Sequence, residues 1–173
     1  AVEDGGGAIL LPGLIEAHTH LDKSLWGMGW QEHQAGPSLR DKINTERRLR
    51  KEWDIEPHRQ SMRQALLSLG HGSTAIRSHV DIDTETGLSG LEGVLQTAKI
   101  LSGQITIQTV AFPQSGLMSR PGTLDLMQEA MQMGADVVGG LDPCGIDADP
   151  KGQLDAVFAL AEKHGKPIDI HLH

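Results

Sequence analysis

Four apolar runs rich in β-branched residues begin near residues 74, 105, 136 and 167, each 31 residues after the one before. They are Thr74–Ile82, Ile105–Phe112, Asp136–Leu141 and Pro167–Leu172. Stretches with apolar residues three and four apart precede them: Glu56–Leu69, Leu88–Leu101, Thr123–Met133 and Gln153–His164. That spacing predicts amphipathic helices, and Gly134 and Gly165 stand where two of them should stop. One strand, one helix and two loops fill about this length, so the repeat is one of structure rather than of sequence identity. A chain paced in this way folds as successive βα units around a parallel sheet, either part of a (β/α)₈ barrel or a doubly wound open sheet. A fifth apolar run, Ile9–Ala17, comes first. Between His20 and Thr74 there is room for a long loop and then helical material from about Leu39. In a barrel such an excursion lies on the active-site face. The expected architecture is therefore α/β, a partial barrel of five strands and four helical segments. A barrel needs eight strands, so the sequence is expected to be part of a longer protein, with a self-sufficient half-barrel as the alternative.

Composition narrows the partners. The net charge of −8 argues against nucleic acid and anionic membranes, which require clustered cations. The basic cluster Arg47-Arg48-Leu49-Arg50-Lys51 is flanked by acidic residues and reads as a solvated helix face. No apolar stretch approaches the roughly 20 residues of a membrane span, and Ala1-Val2-Glu3-Asp4-Gly5-Gly6-Gly7 does not resemble a signal peptide. The single cysteine, Cys144, excludes a disulfide framework and a cysteine-rich zinc site and fits a reducing compartment.

The chemistry is carried by histidines at strand ends. In Pro12-Gly13-Leu14-Ile15-Glu16-Ala17-His18-Thr19-His20, residues two apart face one side of a strand, so His18 and His20 can reach one divalent ion. Ile168-Asp169-Ile170-His171-Leu172-His173 ends the fifth strand in the same way. In a barrel the ends of strands one and five converge across the mouth, which makes His171 the third candidate ligand and leaves His173 as an alternative to it.

The segment Leu11-Pro12-Gly13-Leu14-Ile15-Glu16-Ala17-His18-Thr19-His20-Leu21-Asp22-Lys23 resembles the first-strand motif of the amidohydrolase superfamily, most nearly its cytosine deaminase branch, which includes aminohydrolases of substituted triazines. Arg77-Ser78-His79-Val80-Asp81, Val110-Ala111-Phe112-Pro113-Gln114-Ser115-Gly116 and Gly134-Ala135-Asp136-Val137-Val138-Gly139-Gly140 resemble the same branch in the same order. The resemblance implies a distorted (β/α)₈ barrel with one divalent metal, Zn²⁺ or Fe²⁺, at its mouth. His18, His20 and His171 would be ligands, and Gln114 would bond the substrate ring. It also implies that residues 1–8 are a linker from a small N-terminal β domain and that residues 9–173 are the first part of the barrel. The expected reaction is deamination of a cytosine- or triazine-like heterocycle by water activated on the metal. Family members carry further ligands and the proton-moving carboxylates past the fifth strand, so the 173 residues alone are expected to be inactive. The expected protein is a cytoplasmic homo-oligomer.

Two other readings stay open. Relatives that open cyclic amides bridge two metals with a carboxylated lysine on strand four, and Asp136–Leu141 contains no lysine. A half-barrel with a purely structural role is the other. Zinc deaminases built on a His-x-Glu and Cys-x-x-Cys signature are excluded by the lone cysteine. Gly70-x-Gly72-x-x-Ala75 precedes a strand rather than following one, so it is not a dinucleotide loop. His79 and Asp81 should hydrogen-bond within the mouth, and Asp22 should bond a ligand histidine from behind. Asp142, in the loop after strand four, is expected at the pocket rim and in contact with substrate. Lys23 and Trp26 lie on the first loop, where lining the pocket is open to either. His33, His58, His71 and His164 are expected to be solvated.

Overall fold

A computed structural model describes residues 3–32 and 34–172. The five strands are β1 (Leu14–Thr19), β2 (Ser73–Asp81), β3 (Thr106–Phe112), β4 (Val137–Leu141) and β5 (Ile168–His171). They form one sheet in the order β1-β2-β3-β4-β5, every neighbouring pair parallel. Strand order that never reverses is the barrel's signature and excludes the doubly wound sheet, whose order turns back at a switch point. The sheet is curled. Four strand spacings of about 4.8 Å would hold β1 and β5 about 19 Å apart in a flat sheet. Yet the rings of His18 and His171, on these two strands, lie 4.8 Å apart.

Helices α1 (Leu39–Glu52), α2 (Pro57–Gly70), α3 (Ser89–Ile100), α4 (Thr123–Met133) and α5 (Pro150–His164) make five helical segments, not four, and Leu21–Lys23 adds a 3-10 turn. The extra one is α1, a separate helix held at its start by a reciprocal cap. Ser38 Oγ accepts from Asp41 N, and Asp41 Oδ2 accepts from Ser38 N. Proline at the first position marks the starts of α2 and α5, and Gly134 and Gly165 take left-handed φ of 116° and 62° after α4 and α5. The first strand differs from its sequence reading: Ile9–Ala17 becomes Leu14–Thr19, since residues 9–12 find no neighbouring strand to pair with.

Alternation divides the sheet. Ile76, Val80, Ala111, Val138 and Ile170 point outward into a core shared with Leu91 and Val94 of α3, Met127 and Ala130 of α4, and Val157 of α5. The opposite side of β2 carries Arg77, His79 and Asp81, so this strand is charged on its concave face rather than apolar throughout. A second core of Ile43, Phe112, Leu141 and Ile146 joins α1 to the ends of β3 and β4. Through it α1 lies over the mouth of the half-barrel.

Candidate metal centre at the mouth of the half-barrel

The concave face gathers histidines from three strands. Nitrogens of His18 on β1, His79 on β2 and His171 on β5 all lie within 4.8 Å of one another. The His18 ring stacks on that of His79 at 4.3 Å between centroids and on that of His171 at 4.8 Å. His20 sits one residue past the end of β1, its ring 5.6 Å from that of His18 and 5.8 Å from that of His79. The strand-end pair therefore faces one region. The tightest triad contains His79, which the sequence placed as a hydrogen-bonding neighbour rather than a ligand. His173 and His33 lie outside the described residues.

Two of these imidazoles, His20 and His79, are held neutral. Burial, helped by the Lys23 ammonium and only partly opposed by Asp81, takes His20 down to about 3. Burial likewise takes His79 down to about 4 against the pull of Asp169. Nδ1 of both rings is buried without a hydrogen-bond partner. Unprotonated imidazoles with uncommitted buried nitrogens are the donor chemistry that a divalent transition metal requires, so the residues present fit such an ion.

A layer of charge surrounds the histidines. Lys23 Nζ donates to Asp81 Oδ2 at 2.9 Å, Glu46 Oε1 at 2.8 Å and Gln114 Oε1 at 2.8 Å. Arg50 donates to Asp81 Oδ2 at 3.0 Å and to Asp22 Oδ2 at 3.1 Å. Asp81 Oδ1 lies 3.8 Å from His20 Nδ1. Asp22 thus reaches Arg50 rather than a histidine. Its complete burial, together with the Asp81 carboxylate nearby, pushes its carboxyl well above the ordinary range, against the opposing pull of Arg50 and Lys23. Burial also works against the charge on Lys23, but Asp81 and Glu46 more than offset it and raise that ammonium.

Gln114 lies just past β3, accepting from Lys23 and donating to Glu46 at 3.3 Å. Asp142 follows β4 with a left-handed φ of 35°, and its Oδ1 accepts from Gly145 N at 2.9 Å, shaping the turn that contains exposed Cys144. Trp26 is exposed and away from the histidines, in a shallow hollow beside Arg63 and Leu66. His58 is not simply solvated, since its Nδ1 lies 3.0 Å from Thr97 Oγ1. Nor is His164, whose Nε2 is buried.

The basic cluster of α1 departs most from its sequence reading. Leu49 is buried and Arg50 enters the charge layer, while Arg47 pairs with Glu85 at 3.1 Å and donates to Ser115. Of the flanking acids only Glu52 pairs with it, to Arg48 at 2.8 Å; Asp22, Asp81 and Glu85, which meet Arg50, Arg47 and Lys51, come from elsewhere in the chain. Two further residues, Arg77 and Asp169, pair at 2.9 Å on the concave face, with Asp169 Oδ2 also 3.3 Å from His79 Nε2. Each precedes a singled-out histidine by two positions, so strand alternation alone would have found them.

No family model matches the chain. YahJ of Escherichia coli (strain K12), itself uncharacterized, is 37% identical over 98% of this chain and 37% of its own length. N-isopropylammelide isopropyl amidohydrolase of Pseudomonas sp. (strain ADP) is 32% identical over 98% of this chain and 43% of its own. The crystal structure of N-isopropylammelide isopropylaminohydrolase from Burkholderia multivorans ATCC 17616 superposes with a TM-score of 0.92 at 48% identity, covering 100% of this chain and 43% of that one. That of 5-methylcytosine deaminase from Klebsiella pneumoniae liganded with 5-fluorocytosine gives 0.68 at 30%, covering 92% and 39%. The chain is homologous to the N-terminal part of these amidohydrolase-superfamily enzymes and spans less than half the length of each relative.

Proposed function

We propose that this chain is the N-terminal part of a metal-dependent hydrolase that removes an amino or alkylamino group from a triazine- or pyrimidine-like ring. The observation that carries the reading is the convergence of imidazoles from β1, β2 and β5 at one end of a curled parallel sheet, with His20 and His79 among them held neutral by burial. The functions in the names of the isopropylaminohydrolase and deaminase relatives agree with it.

His18, His20 and His171 are the proposed ligands. His79 competes with His20 for the third place, because its nitrogens approach those of the other two within 4.8 Å. A divalent ion held there, zinc or iron, supplies a water-derived nucleophile at neutral pH. Asp81 lies behind His20, its Oδ1 3.8 Å from the ring's Nδ1, and is itself fixed by Lys23 and Arg50. Gln114 offers the ring an amide donor and acceptor once it exchanges its bonds to Lys23 and Glu46. Asp142 forms the rim beyond β4. Carboxylates that carry protons to the departing amine are expected from strands beyond these five.

Metal analysis and turnover of the whole protein test this. One metal per chain is expected, lost in His18→Ala and in His171→Ala, together with amine release from an aminated triazine or cytosine. Comparing His20→Ala with His79→Ala identifies the third ligand as the variant that loses metal. Full metal content in both the His18 and His171 variants would overturn the site. Two metals per chain with opening of a cyclic amide would overturn the reaction, although the absence of lysine from β4 stands against that.

A further inference from the structure

Helix α1 sends one acid into the mouth. With His20 and Lys23, Glu46 lines a cavity of about 520 Å³ between α1 and the first loop, and Lys42 lines it from one turn earlier. That volume is in the range of about 300–1,000 Å³ that takes small molecules, and His20 in its wall joins it to the histidine cluster. The Glu46 carboxylate is fixed at one oxygen and loosely held at the other. Lys23 Nζ donates to Oε1 at 2.8 Å. Gln114 Nε2 reaches Oε1 at 3.4 Å and Oε2 at 3.3 Å, beyond the usual 2.7–3.2 Å of an N–H···O bond. An ionised carboxylate has about four acceptor sites, so Oε2 is under-used. It also depends on Gln114, the amide that must turn away when it bonds a ring.

We infer that Glu46 is a specificity-determining residue whose carboxylate accepts a hydrogen bond from a ring N–H, so that the enzyme selects rings that keep a hydrogen on a nitrogen beside a carbonyl. The inference rests on the proposed hydrolase reading and deepens it. A ring that takes Gln114 away from Glu46 removes a donor from the carboxylate, and a ring N–H replaces it. A ring without that hydrogen leaves an acceptor unfilled in a partly buried place, which costs binding. Bonds to an ionised acceptor are about twice as strong as neutral ones. Sites built to bond an N–H also discriminate against analogues lacking it far better than apolar walls discriminate by size. Glu46 reads the ring and takes no part in breaking the bond to the departing nitrogen.

The test compares kcat/KM of the whole, metal-loaded enzyme on two aminated oxotriazines that differ only in whether one ring nitrogen beside a carbonyl carries hydrogen or methyl. Wild type should favour the N–H ring, and Glu46→Ala should shrink that preference by about tenfold or more, with metal content unchanged. Glu46→Gln keeps a neutral acceptor of nearly the same shape and should lose part of the preference, which also covers the case of a Glu46→Ala protein that does not fold. Lys42→Ala changes the same cavity without touching the acceptor and should leave the ratio where it was. A wild type that does not distinguish the two rings, a ratio unmoved in the folded Glu46 variants, or an equal shift in Lys42→Ala overturns the role of Glu46 and leaves the hydrolase reading intact. Failure of wild type to release amine from any aminated ring overturns both.

Discussion

At the scale of single residues, Arg50 is the one on which most buried charge depends. Its side chain is 11% exposed and bridges Asp22, which is wholly buried, to Asp81, which is 6% exposed. Without the guanidinium the two carboxylates face each other with only Lys23 to compensate. Removing one member of a buried ionic network leaves uncompensated charge, at a cost of about 3–5 kcal/mol. Arg50→Met should therefore lower stability in urea by that order. Lys151→Ala, which breaks the exposed pair with Asp155 on α5, should leave the midpoint where it was. Equal effects from the two substitutions would show that Arg50 is not the keystone its contacts suggest.

Among the elements, α1 and the loops at the strand ends decide the shape of the mouth, and a buried acid joins two of those loops. Asp147, between β4 and α5, accepts from the backbone N–H groups of Leu117, Met118 and Ser119 before α4, and from the side chains of Ser119 and Gln153. Burial alone would raise its carboxyl, but these donors outweigh burial and hold it below its ordinary range. The unfolded chain takes up this proton at about pH 3.9, the folded chain only at lower pH. The stability from this group is thus complete above the unfolded value and drains away as pH falls through the folded one. Asp147→Asn should cost about 2–3 kcal/mol at pH 7, with the gap to wild type narrowing below about pH 4. Urea titrations at pH 3, 4, 5 and 7 check it, and a gap independent of pH would refute the assignment.

The same elements show what could be read from the sequence. Strands β2 to β5 and helices α2 to α5 fall within a few residues of the periodic runs, because period and capping residues are local properties. The histidines at the end of β1 and on β5, which meet on the concave face, were legible for the same reason. Helix α1 was legible only as helical material from about Leu39, without an end, since its buried positions Ile43 and Leu49 are too few to set a period. Whether Arg50 faces water or a buried acid depends on Asp22 and Asp81, 28 and 31 residues away. The entry of His79 into the histidine cluster was hidden likewise, because it depends on how tightly the sheet curls.

For the molecule as a whole, the curl creates the site and also leaves surface uncovered. Strands β1 and β5 each have one unpaired edge among the described residues. Around β1, Leu10, Leu14 and Ile15 are 96%, 62% and 70% exposed. Parallel strands normally have helices covering them and neighbours on both sides, and long apolar edges recruit other chains. The 173 residues expressed alone should therefore self-associate, with sedimentation velocity showing species larger than 18.6 kDa at micromolar concentration. Ile15→Lys, placing a charge on the outward side of β1, should shift the distribution toward monomer without disturbing His18, which points the other way. A monodisperse monomer in the unsubstituted chain would mean that these edges are satisfied internally. It would also weaken the view that this histidine cluster is completed by further strands, since a barrel mouth and its open edges belong to the same closure.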